Sequence, residues 1–362
     1  MTKHFDYCIL GAGLAGVSLA SELTKENASV CLIDPKGIGS GASGTPLGLV
    51  NPATGRYATL TWEAEKCYTS ILDNLTSIQQ MCDLPFFKKT GVLRPALDEK
   101  IAKRMKENLD SMPWPNNWIE WFDEDAVKNF HPGIKCTGGG VWVSAGLTVD
   151  ISSYLKEFLR FLISNSNFSF IESEYSIIKK DRKWEINVSN HEIIRADKLV
   201  FTTGASTNDF DFWKDLPLYP VKGQLAVLES QSPLLFDHAV SALGYIASMD
   251  SNRFIIGSTY EHSFNHEQID EQGLDYLLIR FGKVLPELKA NSKVIFQWSG
   301  VRASTPNRMP IMGNHPNEED LYVFAGLGSK GLLYSGYLSK KMKDYLMFNV
   351  ALPLDVNINR FA

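Results

Sequence analysis

Apolar and polar positions along this chain follow two rhythms, and the switch between them marks out the elements. Tyr7-Cys8-Ile9-Leu10 is a continuous apolar run, as a strand buried on both faces requires. It meets Gly11-Ala12-Gly13-Leu14-Ala15-Gly16; a helical pattern follows, and a second apolar run, residues 30–33, ends at Asp34. That is strand, glycine turn, helix, strand. Apolar positions at helical spacing predict helices over 62–81, 99–109, 153–163 (capped by Asp150 or Ser152) and 268–288. Residues 86–95 predict a strand pair around Thr90-Gly91, and 168–171, 184–188 and 192–194 predict a meander. Residues 197–204 read as a buried strand running into glycine. Residues 218–228 open a second β-rich stretch, and 244–261 read as a hairpin turning at 250–252. A last apolar run, 321–324, leads through glycines into a helix ending at Phe348, a second strand–glycine–helix unit.

The acid closing the second strand completes a dinucleotide-binding pattern. Gly11 permits the tight turn, Gly13 lets a pyrophosphate approach the backbone, and Gly16 lets helix and strand pack closely. Leu14 and Ala15 begin the helix, whose free N–H groups and dipole face the phosphates. Asp34 lies 18 residues after Gly16, near the roughly 20 expected of a ribose-binding acid. Pro35 follows, then Ser40-Gly41-Ala42-Ser43-Gly44, backbone bare enough to wrap a cofactor and offer it N–H and hydroxyl donors. Leu47 and its apolar neighbours argue against a disordered loop. Gly204 returns a strand end to the same place. Gly326, Gly328, Ser329, Lys330, Gly331 and Leu332 form a second pre-formed helix N-terminus.

Composition narrows this reading. The 362 residues allow two domains, and a formal net charge of −5 calls for no nucleic-acid partner overall. Five cysteines, none spaced as CxxC, predict neither a disulfide framework nor a metal site. The start of the chain leaves no room for a signal peptide, and no apolar run reaches the roughly 18 residues that cross a membrane. A soluble cytoplasmic protein is expected. Trp114, Trp118, Trp121 and Phe122 read as a small aromatic core or as the wall of a pocket.

In their order along the chain these blocks resemble the FAD-dependent D-amino-acid oxidase-like superfamily, which includes glycine and sarcosine oxidases. Ser40–Gly44 is similar to its small-residue loop. Gly244-Tyr245-Ile246 with Ile256-Gly257-Ser258-Thr259-Tyr260, Gly300-Val301-Arg302 with Pro310-Ile311-Met312-Gly313, and Leu327-Gly328-Ser329-Lys330-Gly331-Leu332 resemble segments of the oxidase domain of the MnmC-type tRNA wobble-uridine enzymes. Lys330 stands where that domain has arginine, residues 51–56 differ, and the methyltransferase half is missing. The resemblance implies an α/β (α+β) fold with a Rossmann-like FAD-binding domain (1–84, 137–217 and 297–362) and a β-rich substrate domain (85–136 and 218–296). It implies FAD, expected to be non-covalent because no cysteine lies in a segment beside the flavin ring. It implies oxidation of the C–N bond of a glycine-like or secondary amine by hydride transfer to flavin N5; no histidine or carboxylate is clearly placed as a general base, so no obligatory protein base is expected.

Arg302 is then the residue for a substrate carboxylate and a cofactor neighbour, with a structural ion pair as the alternative. Tyr245 would line the pocket, with a core tyrosine of the hairpin as the alternative, and Lys330 would stabilise negative charge at the flavin N1–C2=O locus, with an exposed surface lysine as the alternative. Tyr260 and Arg56 are weaker candidates. The amine is either a free small molecule or carried on a tRNA. A flavin-holding protein without turnover and an NAD-linked dehydrogenase are the alternatives. The long small-residue loop and second glycine turn favour the larger FAD over NAD. The oligomeric state is left open.

Overall fold

The computed structural model describes residues 2–180, 182–189 and 192–361. Its first sheet is built on the two strands at the head of the chain. Thr2–Leu10 pairs in parallel with Val30–Asp34 on one side and with Glu192–Phe201 on the other. Phe168–Glu172 extends the parallel set beyond Val30–Asp34, and Leu321–Ala325 joins it at the far end of Glu192–Phe201. Alternate side chains leave opposite faces. Tyr7 and Ile9 enter a core beneath helices Leu14–Lys25, Ile151–Ile163 and Gly331–Phe348, whereas Cys8 and Leu10 enter a core with Trp184 and Trp213. Burial on both faces explains the continuous apolar runs.

The meander is displaced from its expected strands. It comprises Tyr175–Lys180, Lys183–Val188 and Glu192–Phe201, while Phe168–Glu172 belongs to the parallel set. Tyr175–Lys180 escaped the sequence because its face is largely solvated and its end is basic. The segments read as 192–194 and 197–204 are one ten-residue strand followed by a turn.

A second sheet of eight strands runs Ser292–Ser304, Tyr219–Ser230, Arg253–Gly257, Tyr245–Ser248, Ala239–Ser241, Val92–Pro95, Gly140–Val143, Ile119–Phe122. Two expected boundaries therefore cut through it. Gly140–Val143 pairs with Val92–Pro95 rather than joining the first sheet, and Ser292–Ser304 runs unbroken across residue 297. The expected 86–95 strand pair does not form: Phe87–Lys88 pairs with Leu147–Val149, and Val92–Pro95 pairs elsewhere. Partners so distant in sequence leave no local signal. The hairpin at 245–257 forms as expected, its turn held by Asp250, which accepts from the N–H groups of Asn252 and Arg253.

Helix starts fall into two kinds. Glu99–Ser111, Glu124–Phe130, Ile151–Ile163 and Glu271–Val284 are each capped by an aspartate (Asp98, Asp123, Asp150, Asp270) that accepts a first-turn N–H, typically contributing about 1 kcal/mol each. Asp150, not Ser152, is the cap at 151. The expected 268–288 helix begins at Glu271 and breaks at Leu285, where Pro286 starts a short second helix. Leu14–Lys25 and Gly331–Phe348, the helices behind the two glycine turns, carry no side-chain cap; Ala64–Gln79 lacks one as well.

Candidate active site

The first glycine turn tolerates no added methyl. Gly11 has φ +104°, and a Cβ there would stand 2.7 Å from the Thr202 carbonyl oxygen. A Cβ on Gly16 would lie 2.0 Å from the Gly11 oxygen and 2.7 Å from Thr202 Oγ1. Thr202 ties this turn to the returning strand, donating from N to Leu10 O and from Oγ1 to Gly11 O (2.8 and 2.7 Å). Gly204 follows with φ +59° and open space beside it. Across the turn, Ser43 in the short 3-10 turn Ala42–Gly44 accepts from the Leu14 N–H at 3.1 Å, and a Cβ on Gly13 would crowd that hydroxyl at 3.0 Å. Asp34 accepts from the N–H groups of Ala12 (2.8 Å) and Lys36 (2.9 Å), with Ser40 Oγ at 3.3 Å. Pro35 carries the chain from this acid into the loop.

The second glycine turn abuts the first. Leu14 Cδ1 would lie 3.2 Å from a Cβ on Gly331, so Leu14–Lys25 and Gly331–Phe348 begin side by side. Leu332 packs over Gly48 together with Ile151. Gly326 and Gly328 take φ of +75° and +55°, and Ser329 is exposed. Two uncapped helix starts thus meet behind a small-residue loop, an arrangement that offers backbone N–H groups to phosphates.

The second sheet turns one face toward this cradle. Register places Tyr245, Gly257, Leu225 and Trp298 in one row, with Gly223–Gly300 and Val221–Arg302 beside it on the same face. Tyr245 donates its hydroxyl to the Leu47 carbonyl oxygen at 2.8 Å, and burial pushes its pKa up. The Trp298 ring covers Gly300, where a Cβ would stand 2.4 Å from its Cη2, and its Nε1 would lie 3.9 Å from a Cβ on Gly44. The strand Ser292–Ser304 also touches the turns Gly204–Asp209 and Gly328–Lys330, so all three glycine segments meet around it.

Arg302 is laid out on this face. Its guanidinium lies so close over Gly223 that a Cβ there would stand 1.8 Å from one terminal nitrogen, and the Tyr260 ring stacks against it at 4.5 Å. It donates to Ser258 Oγ (3.3 Å) and to the Thr259 carbonyl oxygen (2.8 Å). Both partners are neutral, so a structural ion pair is not what holds it. Tyr260 itself is 57% exposed.

Lys330 does not join Arg302. Its ammonium donates to Tyr334 Oη at 3.3 Å, which leaves that hydroxyl free to donate to Thr61 Oγ1 at 2.8 Å, with Trp62 packed edge-on. Burial lowers the Lys330 pKa, and Arg308 nearby lowers it further. Arg56 sits exposed at the tip of a turn. The residue missed in the sequence is Arg94, 3% exposed, which donates to the carbonyl oxygens of Ala53 and Gly55 and to Ser241 Oγ. A lone arginine in an apolar strand was the available signal. It holds the 51–56 segment against the second sheet.

The FAD dependent oxidoreductase family matches residues 6–345 of the chain. The chain belongs to that family. A family FAD is therefore its cofactor, and the crowded glycines, uncapped helix starts and Asp34 fit a dinucleotide. A glycine oxidase from Geobacillus kaustophilus is 23% identical over 92% of this chain and 91% of its own length. A tRNA 5-methylaminomethyl-2-thiouridine biosynthesis bifunctional protein MnmC from Leptospira interrogans is 25% identical over 97% of this chain, which spans only 58% of that relative. The solved glycine oxidase from Geobacillus kaustophilus superposes with a TM-score of 0.84 over 97% of both chains at 21% identity. An iminodiacetate oxidase from Chelativorans superposes at 0.83, covering 97% of this chain and 99% of that one at 22% identity. These likenesses show the same fold.

Proposed function

We propose that this FAD-dependent oxidoreductase oxidises the C–N bond of a glycine-like or secondary amine that carries a carboxylate. The observation that carries the reading is Arg302: a guanidinium that, among the described residues, is held by neutral oxygens and the Tyr260 ring, on the sheet face that looks toward the cofactor cradle. A planar fork without an acid partner suits a carboxylate. FAD, when bound, would accept the hydride equivalent from the carbon beside the amine. Gly11, Gly13, Leu14, Ala15, Gly16, Asp34, Pro35, Gly204 and the loop from Ser40 to Gly44 would hold its adenosine and phosphates. Leu47, Gly326, Gly328, Ser329, Lys330, Gly331 and Leu332 would hold the other end. Arg302 would orient the substrate, Tyr245 would fix the Leu47 segment beneath it, and Lys330 would lend positive charge to the ring end. FAD is held without a covalent bond. The five cysteines are free thiols, in keeping with a reducing cytoplasmic setting, and among the described residues no helix is long and apolar enough to cross a membrane.

The likeness to the bifunctional tRNA proteins along 97% of the chain supports a second reading, in which the glycine-like group is carried on a wobble uridine. Anaerobic reduction of the FAD-loaded protein by glycine, sarcosine, proline and carboxymethylaminomethyl-uridine tRNA in parallel separates the two. Bleaching by a free amino acid supports the first, and bleaching by the tRNA alone supports the second. If none bleaches the flavin, the amine-oxidising reading fails and a non-catalytic flavin protein is left.

A further inference from the structure

Behind the sheet face that carries Arg302 lies a charged network that the reaction itself does not use. Lys222 is next to Val221, the register partner of Arg302, and points to the opposite face. It is 1% exposed, yet its ammonium sits 2.6 Å from Asp270 Oδ2 and 3.5 Å from Glu261 Oε2. Gln224 bridges the same two acids, donating to Glu261 Oε1 at 3.0 Å and Asp270 Oδ2 at 2.9 Å, and accepts from the Asp270 N–H at 2.9 Å. Its own N–H donates to Thr259 Oγ1 at 2.8 Å, and that hydroxyl donates on to Glu261. Paired N–H···O bonds between Lys222 and Glu261, both 3.0 Å, close the ring.

The network grips one short segment from behind. Residues 258–261 run on past the end of strand Arg253–Gly257, and their front supplies the polar and ring contacts that orient Arg302 over Gly223: Ser258 Oγ, the Thr259 carbonyl and the Tyr260 ring. Helix Glu271–Val284 closes the back. Gly273 in its first turn admits Gln224, since a Cβ there would stand 2.1 Å from Gln224 Nε2. A buried cation between two acids is costly to desolvate and weak as a stabiliser when replaceable by apolar packing. Its value here lies in the geometry it enforces.

We propose that Lys222, with Gln224, Glu261 and Asp270, is a positioning set for Arg302, fixing the 258–260 clasp so that the guanidinium presents its fork to a substrate carboxylate. The proposal rests on the reading of Arg302 given above. Asp270, held at a pKa of about 2 first by its hydrogen bond to Lys222 and then by the Gly273 N–H, stays ionised at any working pH. The set therefore acts as a fixed scaffold.

The test uses FAD-loaded Lys222→Met, Lys222→Arg, Gly273→Ala and Arg302→Met proteins. The dissociation constant of glycolate, a carboxylate without an amine, is read from its perturbation of the flavin spectrum, with flavin content and Tm measured alongside. A purely structural role lowers Tm or flavin content but leaves glycolate affinity of the loaded protein intact. Expected is a ten- to hundredfold weaker affinity in Lys222→Met, about the size of effect that a displaced positioning group produces, with most of it regained in Lys222→Arg. Gly273→Ala keeps every charge and suits a helix, so it carries the test if Lys222→Met fails to fold; a several-fold loss is expected. If Arg302→Met weakens glycolate binding while Lys222→Met and Gly273→Ala bind as wild type, the positioning proposal is overturned and the Arg302 reading stands. If Arg302→Met binds glycolate normally, the carboxylate reading falls and takes this proposal with it.

Discussion

The proposed cofactor cradle and the proposed substrate face meet along one strand but are made of different material. The cradle is backbone: two glycine turns, two uncapped helix starts and a loop of small residues, in which side chains would only be in the way. The substrate face is side chains on a sheet, each held by another side chain or by a carbonyl from a distant segment. Sites of the first kind are broken by adding atoms, and sites of the second by removing or shifting them.

That contrast gives a graded set of expectations. The largest concerns Gly16. A methyl 2.0 Å from the Gly11 oxygen forces helix and strand apart, so Gly16→Ala lowers FAD affinity by about a hundredfold or more, roughly 3 kcal/mol. Flavin titration of the purified protein reads this, and full flavin content would break the distinction. Acid acts next, and on the second sheet. His131 Nδ1 and His238 Nε2 stand 2.8 Å apart in an aromatic pocket with Phe130 and Phe236. Burial lowers both, to about 3 and about 4. The unfolded chain takes up these protons below the ordinary value of 6.5, while the folded chain does so only near 3–4. Stability is therefore complete above about pH 7 and falls as pH drops toward 4, by roughly 2 kcal/mol for each histidine at pH 5. Urea midpoints across this range should fall in wild type and flatten in His131→Phe/His238→Phe.

Gly223→Ala sharpens the comparison from the other side. Its methyl would stand 1.8 Å from a terminal nitrogen of Arg302 and displace the guanidinium. KM for a carboxylate-bearing amine should rise about tenfold, equivalent to about 1.4 kcal/mol, while flavin content stays whole. Flavin loss would show that the glycine serves the cradle instead. Smallest is Tyr245→Phe, which removes the bond to the Leu47 carbonyl. About 1 kcal/mol of stability is expected to go, seen as a Tm a few degrees lower.

The same contrast decides what could be read in the sequence. The cradle is local: Gly11 to Asp34 is a contiguous stretch whose glycine spacing states the turn, and the Leu321–Ala325 strand with Gly326 to Gly331 repeats the device. The substrate face is not local. Arg302 owes its orientation to Gly223 and to residues 258–260, and Tyr245 meets Leu47 from 198 positions away. Strands such as Gly140–Val143 chose partners no short-range pattern names, which is why the expected 86–95 strand pair was misplaced and two expected boundaries fall inside the second sheet. Arg302 and Tyr245 were legible only through resemblance. Arg94 left one signal that was passed over, a lone arginine in an apolar strand, whereas the Lys222 network left none, because a buried charge looks in sequence like any surface charge.

The backbone cradle is expected to hold the cofactor while Arg302 reads a carboxylate. The direct measurement is the anaerobic flavin-reduction rate of wild type and Arg302→Met, each at full FAD occupancy, with sarcosine and with dimethylamine, which lacks the carboxylate. A loss of about tenfold to a hundredfold is expected with sarcosine, equivalent to roughly 1.5–3 kcal/mol, and little change with dimethylamine. Equal losses with both amines, or an Arg302→Met protein that cannot be loaded with FAD, would contradict it.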